Sequence, residues 1–224
     1  MRISTRDIPD IGINWTQETR LCDLDFADDI ALIAESREDL QQLTNNLEET
    51  AAKVSLRINA EKTKAMQINC QNDLNLQLDG HSIEEVKHFI YLGSMIAADG
   101  NSESDINCRI GKASSVFQRL QCIWKRNTIN TSLKMQLFKS IVIPTAIYAS
   151  ETWKNTSRIT QKLDVFQQRC LRKILRVRYQ DHITNVEILR RSNSDKLSEI
   201  VTERRMRLAG HIIRLPSDRI TKQQ

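Results

Sequence analysis

Over its first hundred positions the chain sets short apolar runs between turn residues; after that it changes to long stretches of helical periodicity. Leu24-Asp25-Phe26 and Ile30-Ala31-Leu32-Ile33 are each too short for a helix and long enough for a strand, so the residues between them read as a hairpin turn. The pattern predicts strands over 21–26 and 30–34. Ser36 then offers a helix N-cap, with Asp39 three residues on as a capping-box partner. Leu40, Leu43, Leu47, Ala51 and Val54 follow at helical spacing, which predicts an amphipathic helix lying on a sheet. A short strand is expected over 64–69. Two more, over 75–78 and 82–86, flank the hairpin signal Asp79-Gly80. Another covers 89–92 and stops near Gly93.

Asp99-Gly100 breaks the chain, and the pattern beyond it is helical. Ser102 and Asp105 suggest a second capping box. Ile106, Ile110, Ala113, Phe117, Leu120 and Trp124 mark one long helix. Residues 133–143 continue helical until Pro144 kinks or ends them. Ile159, Leu163, Phe166, Cys170, Ile174 and Val177 line one face of a further helix, and a last one is expected over 196–214 with Leu197, Val201, Leu208 and Ile212 inward. Three prolines and six glycines are few for 224 residues, which favours long elements. The fold class that follows is α+β, with a boundary near residue 100. Trp124 and Trp153 fall on or beside apolar stripes and read as core residues.

Charge sharpens that boundary. Residues 1–100 carry nine Lys and Arg against eighteen Asp and Glu, whereas 101–224 carry twenty-four against ten. A basic half suits a polyanionic partner, although two differently solvated surfaces would show the same asymmetry. Lys162, Arg169, Arg172, Lys173 and Arg176 fall within a sector of roughly 100° on the helix that carries Cys170. Such a stripe could track a phosphate backbone, or be a solvated face. Arg204, Arg205 and Arg207 form a second basic cluster. Cys22, Cys70, Cys108, Cys122 and Cys170 are widely spaced with no C-x-x-C pair, which is neither a disulfide framework nor a zinc finger. His81, His88, His182 and His211 show no metal-ligand spacing. No apolar run has signal-peptide or membrane-spanning length, so a soluble intracellular protein is expected, nuclear or cytoplasmic.

The candidate chemistry sits in Phe26-Ala27-Asp28-Asp29. Placing two like charges together is costly, and a divalent cation removes the cost. Mg²⁺ takes carboxylate oxygens and substrate phosphates as ligands, so a turn carrying Asp-Asp is a platform for phosphoryl chemistry. A solvated turn is the other reading of the same residues.

The run from Leu24 to Ala34 closely resembles the catalytic palm motif of reverse transcriptases from non-LTR (LINE-type) retrotransposons. Asn59-Ala60-Glu61-Lys62-Thr63-Lys64 resembles the next palm motif, and Phe89-Ile90-Tyr91-Leu92-Gly93-Ser94 the strand motif that closes the palm. Ile147-Tyr148-Ala149-Ser150-Glu151-Thr152-Trp153 and the run from Arg204 to His211 resemble the region downstream of the palm. These five stretches occur in order from residue 13 to about 215.

The resemblance implies a partial palm over 1–98, thumb-like helices over 99–150 and a basic C-terminal helical extension over 151–224. It implies RNA-directed DNA synthesis on an RNA template and a DNA primer. In that scheme Asp28 bridges two Mg²⁺ ions, Asp29 assists, and Lys62 neutralises or protonates the leaving pyrophosphate. Tyr91, Leu92 and Gly93 grip the primer, and Lys64 lies close to the hairpin. Contact of nucleic acid by Lys64 and the two basic clusters, Arg169, Arg172, Lys173 and Arg176 and then Arg204, Arg205 and Arg207, is the expectation that their charge adds, with a solvated face as the alternative. The family also draws a carboxylate from an earlier palm strand, and only 27 residues precede Asp28. The chain is therefore expected to be inactive alone and to need a missing N-terminal half. A non-catalytic nucleic-acid-binding remnant and a helical interaction module are the alternatives. Ser55 stands where the family usually has Gly; if the position needs a positive φ, Ser is strained there.

Overall fold

The computed structural model describes residues 11–15, 20–68, 74–154 and 156–216. They fall into two compact units, one of the residues up to Gly100 with Leu215 and Pro216, the other Asn101–Arg214. The first is built from two-stranded ladders and one helix: β1 (Ile13–Asn14), β2 (Arg20–Leu21), β3 (Asp23–Phe26), β4 (Asp29–Leu32), α1 (Arg37–Lys53), β5 (Lys64–Ala65), β6 (Gln77–Leu78), β7 (His81–Ser82), β8 (Glu84–Glu85), β9 (His88–Tyr91) and β10 (Ser94–Ala97). The ladders β1–β2, β3–β4, β6–β7 and β9–β10 are antiparallel, and β5 pairs in parallel with β8.

The hairpin signals are realised through backbone angles. Asp79 and Gly80 take φ of +51° and +73°, the left-handed pair that lets a two-residue turn match the twist of its strands. Leu92 and Gly93 do the same at +48° and +79°, and β10 follows. The sequence reading stopped at Gly93 and missed β10, because Leu at a left-handed position carries no turn signal of its own. Gly12 sits at φ +114°, where an added Cβ would lie 2.5 Å from the Leu21 carbonyl oxygen. Only glycine lets that strand start approach its partner.

Helix α1 begins as its sequence predicts, with the Ser36 hydroxyl accepting from the Asp39 N–H at 3.1 Å. Leu43, Leu47 and Ala51 are buried. Val54 is not: it caps the helix and is 60 % exposed, so the inward face ends one turn earlier than its periodicity suggested. Ser55 follows at φ +60°, in the left-handed conformation for which glycine is the unstrained choice. The Gln41 amide pairs with both backbone groups of Gln77, donating to its oxygen and accepting from its nitrogen at 2.8 Å each, as a neighbouring strand would. Arg37 adds bonds to the Leu74 and Asn75 carbonyls. Ala65, Leu74, Leu76, Leu78 and Ile83 form the small core, with Leu40, Ile58 and Ala60 packed on it. Strand β5 covers two residues of the predicted 64–69; Asn69 and Cys70 lie outside the described residues.

The second unit is helical: α2 (Glu103–Arg119), α3 (Gln121–Lys125), α4 (Thr131–Leu137), a π-turn (Phe138–Val142), α5 (Ile143–Ala146), a 3₁₀ turn (Ser150–Thr152), α6 (Ser157–Leu175), a second 3₁₀ turn (Tyr179–Asp181), α7 (Asn185–Ser192) and α8 (Leu197–Arg214). Three expectations change. Ser102 makes no cap; the Asn101 side chain accepts from the Glu103 N–H at 3.0 Å instead. The single helix expected through Trp124 breaks at Leu120, and the Trp124 indole N–H takes the Phe117 carbonyl at 2.7 Å. Pro144 does not end the helical run, which passes from α4 through the π-turn into α5. The turn before it widens, so that the Ile143 N–H reaches Phe138, and Pro144 enters at the start of α5, where no N–H is demanded of it.

One continuous core runs from Ile106 to Val201 and includes residues on both sides of position 150. Trp124 stacks on Phe117 with ring centroids 5.1 Å apart, and Phe138 meets Phe117 edge-on. Both Trp124 and Trp153 are buried, as expected. On α8 only Leu197 and Val201 are fully inward. Leu208, expected inward, is exposed and Ile212 is half-buried.

Candidate active site

Asp28 lies at the tip of the β3–β4 hairpin and Asp29 opens β4. Phe26 pairs with Asp29 and Asp25 with Ile30, so the turn holds only Ala27 and Asp28. Ala27 takes φ +56°, a conformation that costs an L-residue about 1 to 2 kcal/mol. The half-buried face of β4, from Ile30 to Leu32, fixes the hairpin beside α1. Asp25, Asp28 and Asp29 are all exposed, so hydration offsets their mutual repulsion in the chain as it stands.

The β9–β10 hairpin reaches this one through Tyr91, whose hydroxyl donates to the Leu24 carbonyl on β3 at 3.2 Å. Partial burial, followed by the negative charges of Asp29 and Asp25, pushes the Tyr91 phenol above its ordinary pKa. The proton it donates to β3 is therefore held firmly. Tyr91, Leu92 and Gly93 thus form a tight turn whose first side chain is tied to the carboxylate-bearing hairpin. The sequence placed both motifs but not the bond between them, which joins positions 67 apart.

Lys62 stands on a turn closed by Asn59, whose side-chain oxygen accepts from the Lys62 N–H at 3.1 Å; its ammonium is exposed. Lys64 is ion-paired with Glu84 at 2.5 Å across the β5–β8 ladder.

In the helical unit the basic candidates separate into engaged and open groups. Arg172 donates to the Ile183 carbonyl and to the Asn185 side chain, both at 2.8 Å, and Arg176 donates to the Lys125 carbonyl. Arg169 and Lys173 are exposed. Arg204 meets Glu151 at 3.7 Å and the Ile147 carbonyl at 3.4 Å, and Arg207 pairs with Glu203 at 2.6 Å. Arg205 is half-buried and helps line a small pocket with Trp153 and Thr202. The stretch 147–153 has its own buried partners: the Trp153 indole donates to Asp105 at 2.8 Å, and the Arg109 guanidinium lies 4.5 Å over the Tyr148 ring. Asp105 and Arg109, four apart on α2, are both buried. Only their helical spacing hinted at this in the sequence.

Among the described residues no three His, Cys, Asp or Glu side chains come together as a metal site. Asp28 and Asp29 supply hard oxygen donors, and Mg²⁺ is commonly held by one or two carboxylates with the remaining positions filled by water and substrate phosphate. The pair fits such an ion as part of a ligand set.

Residues 9–96 match the family model for reverse transcriptase (RNA-dependent DNA polymerase), a span that ends just before the division between the units. The chain is also similar to an uncharacterised transposon-derived protein of Caenorhabditis elegans, 26 % identical over 215 residues, covering 90 % of this chain and 75 % of the relative. That similarity extends across the helical unit as well. No solved structure matches the chain. No helix among the described residues is long and apolar enough to cross a membrane.

Proposed function

We propose that the chain is the C-terminal part of an RNA-directed DNA polymerase of the non-LTR retrotransposon type, with the end of its palm in the first unit and nucleic-acid-binding helices in the second. The observation that carries this reading is the paired-strand turn presenting Asp28 and Asp29, tied through Tyr91 to the turn at Leu92-Gly93. Asp28 and Asp29 would hold Mg²⁺, which supplies charge neutralisation at a phosphoryl centre. Tyr91 positions the neighbouring turn and keeps its proton. Lys62 offers an unengaged cation for a phosphate leaving group. Two carboxylates alone are a weak Mg²⁺ site, so the chain by itself polymerises no DNA.

Primer extension on an RNA template with Mg²⁺ tests this. No incorporation is expected from the chain alone; robust incorporation abolished by Asp28→Ala would overturn the inactivity. The helical unit is expected to bind RNA or DNA in a salt-sensitive way through phosphate contacts. Anisotropy of a labelled oligonucleotide titrated across ionic strengths reads this directly. No binding at low salt would favour a helical interaction module instead.

A further inference from the structure

Some cations of the helical unit are paired with carboxylates. Arg158 and Lys162 share Glu103, Arg190 and Arg191 share Glu187, and Arg204, Arg207 and Lys196 each have a carboxylate. The ends of α3 and α6 are different. Lys134 is buried and donates to the Trp124 and Arg126 carbonyls at 3.0 and 2.6 Å, while Arg176 donates to the Lys125 carbonyl between them. Two cations therefore close the C-terminal end of α3, where the helix dipole is negative. Lys125, Arg126, Lys173 and Arg178 stand around them with solvent-exposed side chains. Among the described residues none of these six cations has a carboxylate ion partner. Burial, and to a lesser degree the charge of Arg176, depress the Lys134 pKa.

Tyr179 stands three residues beyond Arg176 and is 91 % exposed, the most open large side chain among the described hydrophobic residues. It is not on a loose loop. The Asp181 carboxylate accepts from the Arg178 N–H at 2.6 Å, the Asp181 N–H donates to the Arg178 carbonyl, and the His182 N–H donates to the Tyr179 carbonyl. The His182 ring lies 6.0 Å from the Tyr179 ring. Asp181 is the one carboxylate in this turn, and it is spent on the turn's own backbone. An exposed aromatic ring on a hydrogen-bonded turn, close in sequence to cations without a carboxylate partner, matches what unpaired nucleotides require: a face to stack on and charge for the adjoining phosphates.

We infer that Tyr179 is a stacking platform for an unpaired base, with Lys125, Arg126 and Arg178 taking the phosphates on either side. This rests on the nucleic-acid reading of the helical unit and narrows it to single-stranded nucleic acid at one corner. Binding there is tolerant of base identity, because stacking uses a face that every base has.

The test compares the full chain with Tyr179→Ala, Tyr179→Trp and the double variant Lys125→Gln/Arg126→Gln, using fluorescein-labelled single-stranded RNA and a duplex of the same sequence. Tyr179→Ala is expected to weaken single-strand binding about 10-fold with an unchanged salt slope, to affect the duplex far less, and to leave the melting curve unaltered. Tyr179→Trp retains full affinity. The double charge variant lowers the salt slope by about 1 to 2. Wild-type affinity in Tyr179→Ala, or equal losses on both probes, would overturn the inference while leaving the broader reading intact. No binding of either probe by the wild-type chain at low salt would overturn both.

Discussion

The two units solve the problem of burial differently. The helical unit buries one continuous apolar core in which Phe138, Ile106, Leu163, Leu171 and Leu197 are sealed from solvent. The acidic unit has a small core that includes Leu78 of β6, and leaves Leu24, Phe26, Ile90, Leu92 and Ile96 on the β3–β4 and β9–β10 hairpins exposed. Both units use left-handed residues and N-caps, Ala27, Ser55, Asp79, Leu92 and Ser36 in the first and Ala149, His182, Asn193, Thr156 and Thr184 in the second, but in the first they accompany only a small core. The exposed carboxylates and the tight turn at Leu92-Gly93 lie on hairpins with little apolar burial, whereas the basic residues of the second unit stand on helices packed around a closed interior.

The most demanding test of that contrast is a pair of truncations. Phe138→Ala is expected to cost about 3–5 kcal/mol, because it opens a cavity in a sealed core. Phe26→Ala, at 62 % exposure, should cost well under 1 kcal/mol. Urea unfolding followed by tryptophan fluorescence reads the first directly, since Phe138 and Trp124 both pack on Phe117. Similar costs for the two would mean that the hairpin unit also carries its fold through packing.

A smaller effect sharpens the turn side of the comparison. Ser55→Gly relieves a left-handed serine at the end of α1 and should stabilise the acidic unit by about 1 kcal/mol. A thermal melt that stays the same or falls would show that the serine side chain makes up for its backbone.

The smallest expected effect lies on the surface of the helical unit. Glu187 accepts from Arg190 and Arg191, chiefly through hydrogen bonds, and its pKa falls to about 2. A carboxylate held below its unfolded value contributes stability that is present above pH 4.5 and lost as pH falls toward 2. The ion pairs are exposed, so the contribution is slight and screened by salt. Thermal midpoints at neutral pH and at about pH 2.5 should fall less for Glu187→Gln than for the wild-type chain at low salt, with the difference shrinking as salt is added. An identical acid sensitivity in both would remove Glu187 from the pH response.

What the residues settled alone were the local features with a single physical solution. Ser36 before an apolar 3.6-residue period starts α1, Asp79-Gly80 makes a two-residue turn, and short apolar runs on either side of Ala27-Asp28-Asp29 pair as strands around it. The charge switch marked the division near residue 100, and the order of motifs anticipated the family match over 9–96. Tertiary structure decided whatever depends on partners distant in the chain. It bonded Tyr91 to β3, broke the expected helix at Leu120 for the Trp124 indole, turned Pro144 from a stop into a helix start, and left Leu208 of α8 exposed. It also chose which cations are engaged: Arg172, Arg176, Arg204 and Arg207 are held by carbonyls or carboxylates, while Arg169 and Lys173 have no such bond among the described residues. Periodicity places a side chain on a face of its own helix, but what lies opposite that face is set by packing among segments whose separation no local pattern encodes.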